Sequence, residues 1–274
     1  FADAIRKVFC DNPPPHQDVI PEDVGLPAPE KAYLRRREIL GGFADRPREV
    51  KDHLVASYTF DGDDDFLAKD GSASAFHAFK HDFKYADGKS GRGFKCAGGA
   101  LVVPSHSLFF PRGGITVEFW CKPDEGNQTD RWILNTVGPS NTGYRVGLGD
   151  GKIVWQIPKT SWSHSLAAKR AAVPGQWSHM AATYDGDTMR LFIDGKEEGA
   201  LQRGGPIAPS GGQLCIGSYS PGNTRAFFQG VLDDVRIWDR PLTTDEIRRR
   251  AGAANNPEPG RVKSNEPPRD APSL

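Results

Sequence analysis

The sequence predicts an all-β chain folded as an antiparallel β-sandwich, on three observations. Short runs rich in β-branched and aromatic residues follow one another from about residue 54 to residue 250. Asp-Gly pairs stand at 61–62, 87–88, 150–151, 185–186 and 194–195, and such a pair between apolar runs is a strong hairpin signal. No long amphipathic helices alternate with these runs, which excludes a doubly wound parallel sheet.

In chain order, residues 1–53 read as an extended, Pro-rich N-terminal arm. Its first piece, "FADAIRKVF", is helix-like and short. Pro13, Pro14 and Pro15 then forbid helix and favour polyproline-like chain. "PEKAYLRRREILGGF" reads as a helix: Pro29 suits the first turn, Leu34, Ile39 and Leu40 form a stripe, and Gly41–Gly42 end it. Arg35, Arg36 and Arg37 make that helix locally basic. A solvated face is one reading of them; docking on an acidic partner or on lipid headgroups is the other.

Residues 54–252 form the sandwich. Its strands are read at "LVASYTF", "ALVVP", "ITVEFWC", "RWILNTV", "YRVGLG", "KIVWQI", "WSHSLAA", "WSHMAATY", "MRLFID", "QLCIG" and "FQGVLDDVRIW". One helix closes it, "PLTTDEIRRRAG", with Thr243 or Thr244 as cap, acids in its first turn, Arg248–Arg250 in its last and Gly252 as terminator. Residues 253–274 are a polar, Pro-rich tail with too little apolar content to fold alone.

Charge is balanced, 35 basic against 35 acidic residues, so nothing general points to nucleic acid or an anionic membrane as partner. No apolar stretch approaches the ~18 residues of a membrane-spanning helix. The chain opens on Phe1, which fits a processed N-terminus, and Lys-Val-Phe before Cys10 are not the small residues of a lipoprotein signal. Cys10, Cys96, Cys121 and Cys215 form no C-x-x-C pair, which disfavours a zinc site; buried free thiols are the plain reading, with a disulfide left open.

The ordered motifs "ITVEFWCKP", "GYRVGLGDGKIVWQI", "GQWSHMAATYDGDTMRLFIDGKEEG", "GGQLCIGSY" and "FFQGVLDDVRIWDRPLTTDEI" resemble the laminin-G-like, concanavalin A-like jelly-roll family over about residues 54–250. The resemblance implies the fold and leaves function open, because that architecture hosts lectins, hydrolases and interaction modules. Its hydrolases carry E-x-D-x-x-E on a central strand, which does not occur here. Glu118 and the neighbours Asp233 and Asp234 are the central-strand carboxylates, and adjacent residues of a regular strand face opposite ways. No catalytic residues and no enzyme are therefore expected. The family also implies one structural calcium ion, for which Asp61, Asp63, Asp70, Asp233 and Asp234 are the candidate ligands.

Trp120 and Trp177, inside the most regular motifs, are expected in the core, as is Trp155 beside Ile153 and Ile157. Trp132, Trp162 and His164 are the candidates for stacking on a sugar. The leading expectation is a non-catalytic interaction or scaffold subunit, fastened by its arms to protein subunits of an extracytoplasmic assembly, a membrane-associated one included. A carbohydrate-binding, lectin-like module is the alternative. The cluster "QWSHMAATYDGDTMRLFIDGKEEG" reads as strand and turn geometry, with Asp185, Asp187 and Asp194 as turn residues.

Overall fold

The computed structural model describes residues 50–62, 67–126, 129–138, 141–158, 165–220 and 225–252. Residues 1–49 of the N-terminal arm and the tail from 253, together with Asp63, Trp162 and His164, lie outside the described residues, and with them Pro13, Pro14, Pro15, Arg35, Arg36 and Arg37.

Two antiparallel sheets form the sandwich. The first runs β14 (Lys196–Gln202), β13 (Thr188–Ile193), β12 (Ser178–Tyr184), β7 (Ile115–Pro123), β16 (Gly230–Trp238), β5 (Arg92–Cys96) and β4 (Lys84–Asp87). The long β16 has β5 beside its first half and β1 (Leu54–Tyr58) beside its second. The second sheet runs β11 (Ser165–Ala171), β10 (Lys152–Gln156), β9 (Arg145–Gly149), β8 (Arg131–Asn135), β15 (Leu214–Ile216), β6 (Ala100–Val103), β3 (Ala78–His81) and β2 (Leu67–Ala68). The sequence reading missed β2 to β5, which are two to five residues long, and β14, which carries few apolar residues.

Strand parity builds the core. In β7, Ile115, Val117, Phe119 and Cys121 face inward; opposite them β12 contributes Met180, Ala182 and Tyr184. The second sheet adds Val146, Leu148, Ile153, Trp155 and Leu166. Hairpins form at Asp150–Gly151 and Asp194–Gly195, where both turn residues take positive φ (52° and 74°, 51° and 77°), whereas Asp61–Gly62 joins β1 to β2 in the other sheet and makes no hairpin. Cys96, Cys121 and Cys215 are buried free thiols.

The closing helix α1 (Thr244–Arg250) starts on a capping box: Thr243 Oγ1 accepts from Glu246 N, and Thr243 N donates to Glu246 Oε2 at 2.8 Å. Its buried Ile247 packs with Leu242, Trp238, Phe192 and Ala181 in a small second core on the outer face of the first sheet.

Candidate functional site

Of the acidic residues proposed for calcium, the described ones, Asp61, Asp70, Asp233 and Asp234, are held within the protein's own hydrogen bonds and ion pairs. Asp70, 5% exposed, accepts from Ser57 N and Ser72 N at Oδ1, and from Phe76 N and Ser72 Oγ at Oδ2, at 2.7–2.8 Å. Asp233 accepts from Lys89 N and Ser90 N at Oδ2 and from Asp234 N at Oδ1. Burial pushes the Asp233 carboxyl pKa up against those bonds. Asp61 accepts from Arg92 N, and Asp234 pairs with Arg236 at 2.7 Å. Asp70 and Asp233 share no hydrogen-bond partner, and oxygens ringed by N–H donors repel a cation instead of inviting one. Among the described residues, no group of three or more His, Cys, Asp or Glu side chains could hold a metal ion. The described carboxylates therefore do not fit a structural calcium.

The rule that Asp233 and Asp234 face opposite ways fails locally. Register shifts between Asp233 and Arg236, and Asp234 takes φ 50°, so the pair sits in a β-bulge.

Glu118 and His179 lie on the outer face of the first sheet, at 0% and 2% exposure, with 3.4 Å between Oε2 and Nε2. Glu118 Oε1 accepts from Trp238 Nε1 and from Arg250 of α1. Burial works to raise the Glu118 pKa, but the bond and charge of His179, with Arg250 and Arg236, outweigh it and hold the carboxyl below its ordinary range. This cluster pins α1 to the sheet. Trp120 and Trp177 are corrected here: parity sends Phe119 and Cys121 inward, so Trp120 is half-buried on the outer face, edge-on to His179 at 5.3 Å. Trp177, just before β12, is half-buried beside Lys122. Trp155 is in the core as expected.

On the second sheet, register brings together residues far apart in sequence. Cys215 lies opposite Asn135, Asn135 opposite Arg145, Arg145 opposite Gln156, and Gln156 opposite Ser165. Opposed residues share a face, and the core is built by Val146, Ile153 and Trp155, so this row is on the outside. Its last three members are hydrogen-bonded in sequence: Arg145 Nε donates to Gln156 Oε1 at 2.6 Å and Gln156 Nε2 to Ser165 Oγ at 3.0 Å. Asn135 Nδ2 donates to the carbonyl of Tyr219 at 2.8 Å. Past Cys215 the row continues through Val102 and Phe79 to Leu67, apolar where the other half is polar.

Trp132 flanks this row. Its ring lies so close to Gly147 that a Cβ there would come within 2.8 Å of Cε3. The Arg145 guanidinium covers it at 3.8 Å and is 5.9 Å from the Tyr219 ring. Trp132 is 7% exposed, so it does not present an open ring face, as a sugar-stacking residue was expected to do. Burial draws the Arg145 pKa down to about 10, which leaves it cationic at neutral pH. Arg145, Gln156 and Tyr219 were not singled out from sequence. Just past β10, buried Arg203 donates to the carbonyls of Ile157 and Pro158. A separate cavity of 250 Å³, lined by Pro123, Leu148, Ala172 and Pro174, has one carboxylate, Asp150, bonded to Thr129 Oγ1.

The profile of the concanavalin A-like lectin/glucanases superfamily matches residues 96–248, more than half of the chain. The chain belongs to this family. Among curated proteins, pappalysin-1 of Mus musculus is 26% identical over 162 residues, covering 51% of this chain and 10% of its own length; the Homo sapiens protein is 23% identical over 158 residues with the same coverages. The chain thus spans about a tenth of the relatives it matches. Solved structures of similar fold include the binding domain of Paraclostridial Mosquitocidal Protein 1, with TM-score 0.61, 18% identity and coverage of 74% of this chain and 52% of that one. Domain 4 of AbnA, a GH43 extracellular arabinanase from Geobacillus stearothermophilus in complex with arabinotriose, gives 0.57 and 21%, covering 72% of this chain and 98% of that one. The botulinum neurotoxin serotype D ligand binding domain in complex with N-acetylneuraminic acid gives 0.59 and 14%, covering 75% and 52%. At these identities the likeness is one of fold. Among the described residues, no helix of this family member is long and apolar enough to cross a membrane.

Proposed function

We propose that the sandwich is a non-catalytic, extracytoplasmic recognition module that binds a glycan on the outer face of its second sheet. The carrying observation is the row Asn135–Arg145–Gln156–Ser165 across four strands, with Arg145, Gln156 and Ser165 linked by side-chain hydrogen bonds, beside Tyr219 and the buried Trp132. Amide, guanidinium and hydroxyl groups in one line match sugar hydroxyls, and the adjoining aromatic surface matches the C–H face of a sugar ring. Sugars held by two structures of the same fold, arabinotriose and N-acetylneuraminic acid, support the reading.

Affinity electrophoresis against a glycan panel containing both sugars tests it. The wild-type chain is retarded by at least one glycan, and Arg145→Ala weakens that retardation about tenfold or more while keeping the melting temperature. No retardation by any glycan, or equal retardation of the variant, removes the reading.

A second reading gives the arms the task of fastening the module to a larger assembly. It is supported by the curated relatives, in which the matched region is a tenth of the chain. Deleting residues 1–50 and recovering the same co-purifying chains would remove it.

A further inference from the structure

The opposite outer face carries a surface that the glycan row does not use. On the first sheet, Lys84 lies opposite Lys95, Lys95 opposite Val231, and Val231 opposite Lys122. The Lys122 ammonium is 5.3 Å from the ring centre of Trp177. In the turn between β4 and β5, Lys89 holds its ammonium 4.5 Å from the ring centre of Trp120. The row crosses from β4 through β5, β16 and β7 to the approach to β12, four strand spacings or about 19 Å. Val231 in its middle is only 4% exposed, as expected where lysine stems lie over an apolar side chain.

The charges on this face are unbalanced in a chain of zero net charge. Lys95 is paired with Asp124 at 2.6 Å. Among the described residues, no carboxylate pairs with Lys84, Lys89 or Lys122. The nearby Asp233 is taken up by the backbone N–H groups of Lys89, Ser90 and Asp234.

We propose that this face binds a polyanionic glycan chain, one bearing sulfate or carboxylate groups along its length. Ammonium groups are point charges that accept such anions in many orientations, and the half-buried indoles offer apolar surface to sugar rings. A span of about 19 Å exceeds a single ring and fits several linked ones. An extended acidic peptide fits less well. It gains affinity by adding to a sheet edge, and this row crosses β5, β16 and β7, which have neighbours on both sides.

The test is retention of the full chain on immobilised heparin at physiological ionic strength. The wild-type chain is retained and released by added salt. Lys84→Gln/Lys89→Gln/Lys122→Gln weakens binding about tenfold or more at unchanged melting temperature, and Lys84→Gln or Lys89→Gln alone lowers the eluting salt in part. Arg35→Gln/Arg36→Gln/Arg37→Gln keeps its retention, as does Arg145→Ala, which separates this surface from the arm and from the second sheet. Soluble heparin displaces the bound chain and polyglutamate of equal charge does not. The proposal is overturned if the wild-type chain flows through, if the lysine variant is retained like wild type, if the arm arginines carry the retention, or if polyglutamate competes equally.

Discussion

Replacing Asp70 by Ala separates two accounts of the acidic loop. In the structure its carboxylate closes the segment that docks on β1, accepting from Ser57 N, Ser72 N, Phe76 N and Ser72 Oγ. The Ser72 hydroxyl has a second acceptor, the carbonyl of Val55, at 3.0 Å, and Ser72 is half-buried, so water reaches its N–H. The bonds from Ser57 N and Phe76 N are buried, which keeps water from replacing them. Two buried bonds to the carboxylate lost, at roughly 1–3 kcal/mol each, put the loss near 4 kcal/mol. For a sandwich of about 200 residues that is a fall in Tm of about 8–16 °C. Thermal denaturation of wild type and Asp70→Ala, each with EDTA and with added calcium, is the assay. The expected result is a large fall for the variant and identical wild-type curves in both buffers. A loss below ~1 kcal/mol, or a wild-type Tm that drops in EDTA, would refute the hydrogen-bond account and restore the metal.

Glu118→Ala strands Trp238 Nε1, His179 and Arg250 and is expected to cost about 3–5 kcal/mol, read from urea denaturation, with Glu118→Gln costing less. Gly147→Ala drives a methyl into Trp132 and the carbonyl of Arg131; a loss of about 1–3 kcal/mol with altered tryptophan near-UV circular dichroism is the expected reading. The Arg240 bond, ahead of those from Thr243, holds the Glu246 pKa at about 2, below its unfolded value of about 4.3, so its stabilisation is full above the unfolded value and is lost as pH falls toward 2. Glu246→Gln should therefore cost about 1 kcal/mol at pH 7 and clearly less at pH 3, in paired denaturation curves. Burial pushes the Cys96 and Cys121 thiols up, so in a Cys10→Ser background a thiol reagent should find no fast-reacting group until the chain unfolds.

What could be read from sequence followed strand parity and turn chemistry. Asp150–Gly151 sets the β9–β10 register, and counting outward from it already places Arg145 opposite Gln156. With Val146 and Ile153 inward, both must face out. Asn135 and Ser165 could not be added, because their pairings depend on β8 and β11, which have register shifts. Trp120 was misplaced because its place in a regular strand motif was weighed above parity. Beside Phe119 it had to point away from the core. β14, "KEEGALQ", shows no apolar face because it is a charged edge strand, and only the Asp194–Gly195 turn announces it. β4, "KYAD", is hidden for the same reason. Asp70 and Asp233 looked like cation ligands because a list of carboxylates does not show that backbone N–H groups already occupy these two.

The seam between β1 and β16 has a mechanical consequence. Leu54 pairs with Trp238 and Tyr58 with Val235, while His53 and Asp239 clasp the outer end through a backbone bond of 3.0 Å and a side-chain bond of 2.8 Å. Tension applied through residues 53 and 239 meets that clasp first and then opens the rungs one after another, as a zip opens, with no two rungs sharing the load. The seam yields at low force, while the strand pairs beyond it, out of line with the pull, stay closed.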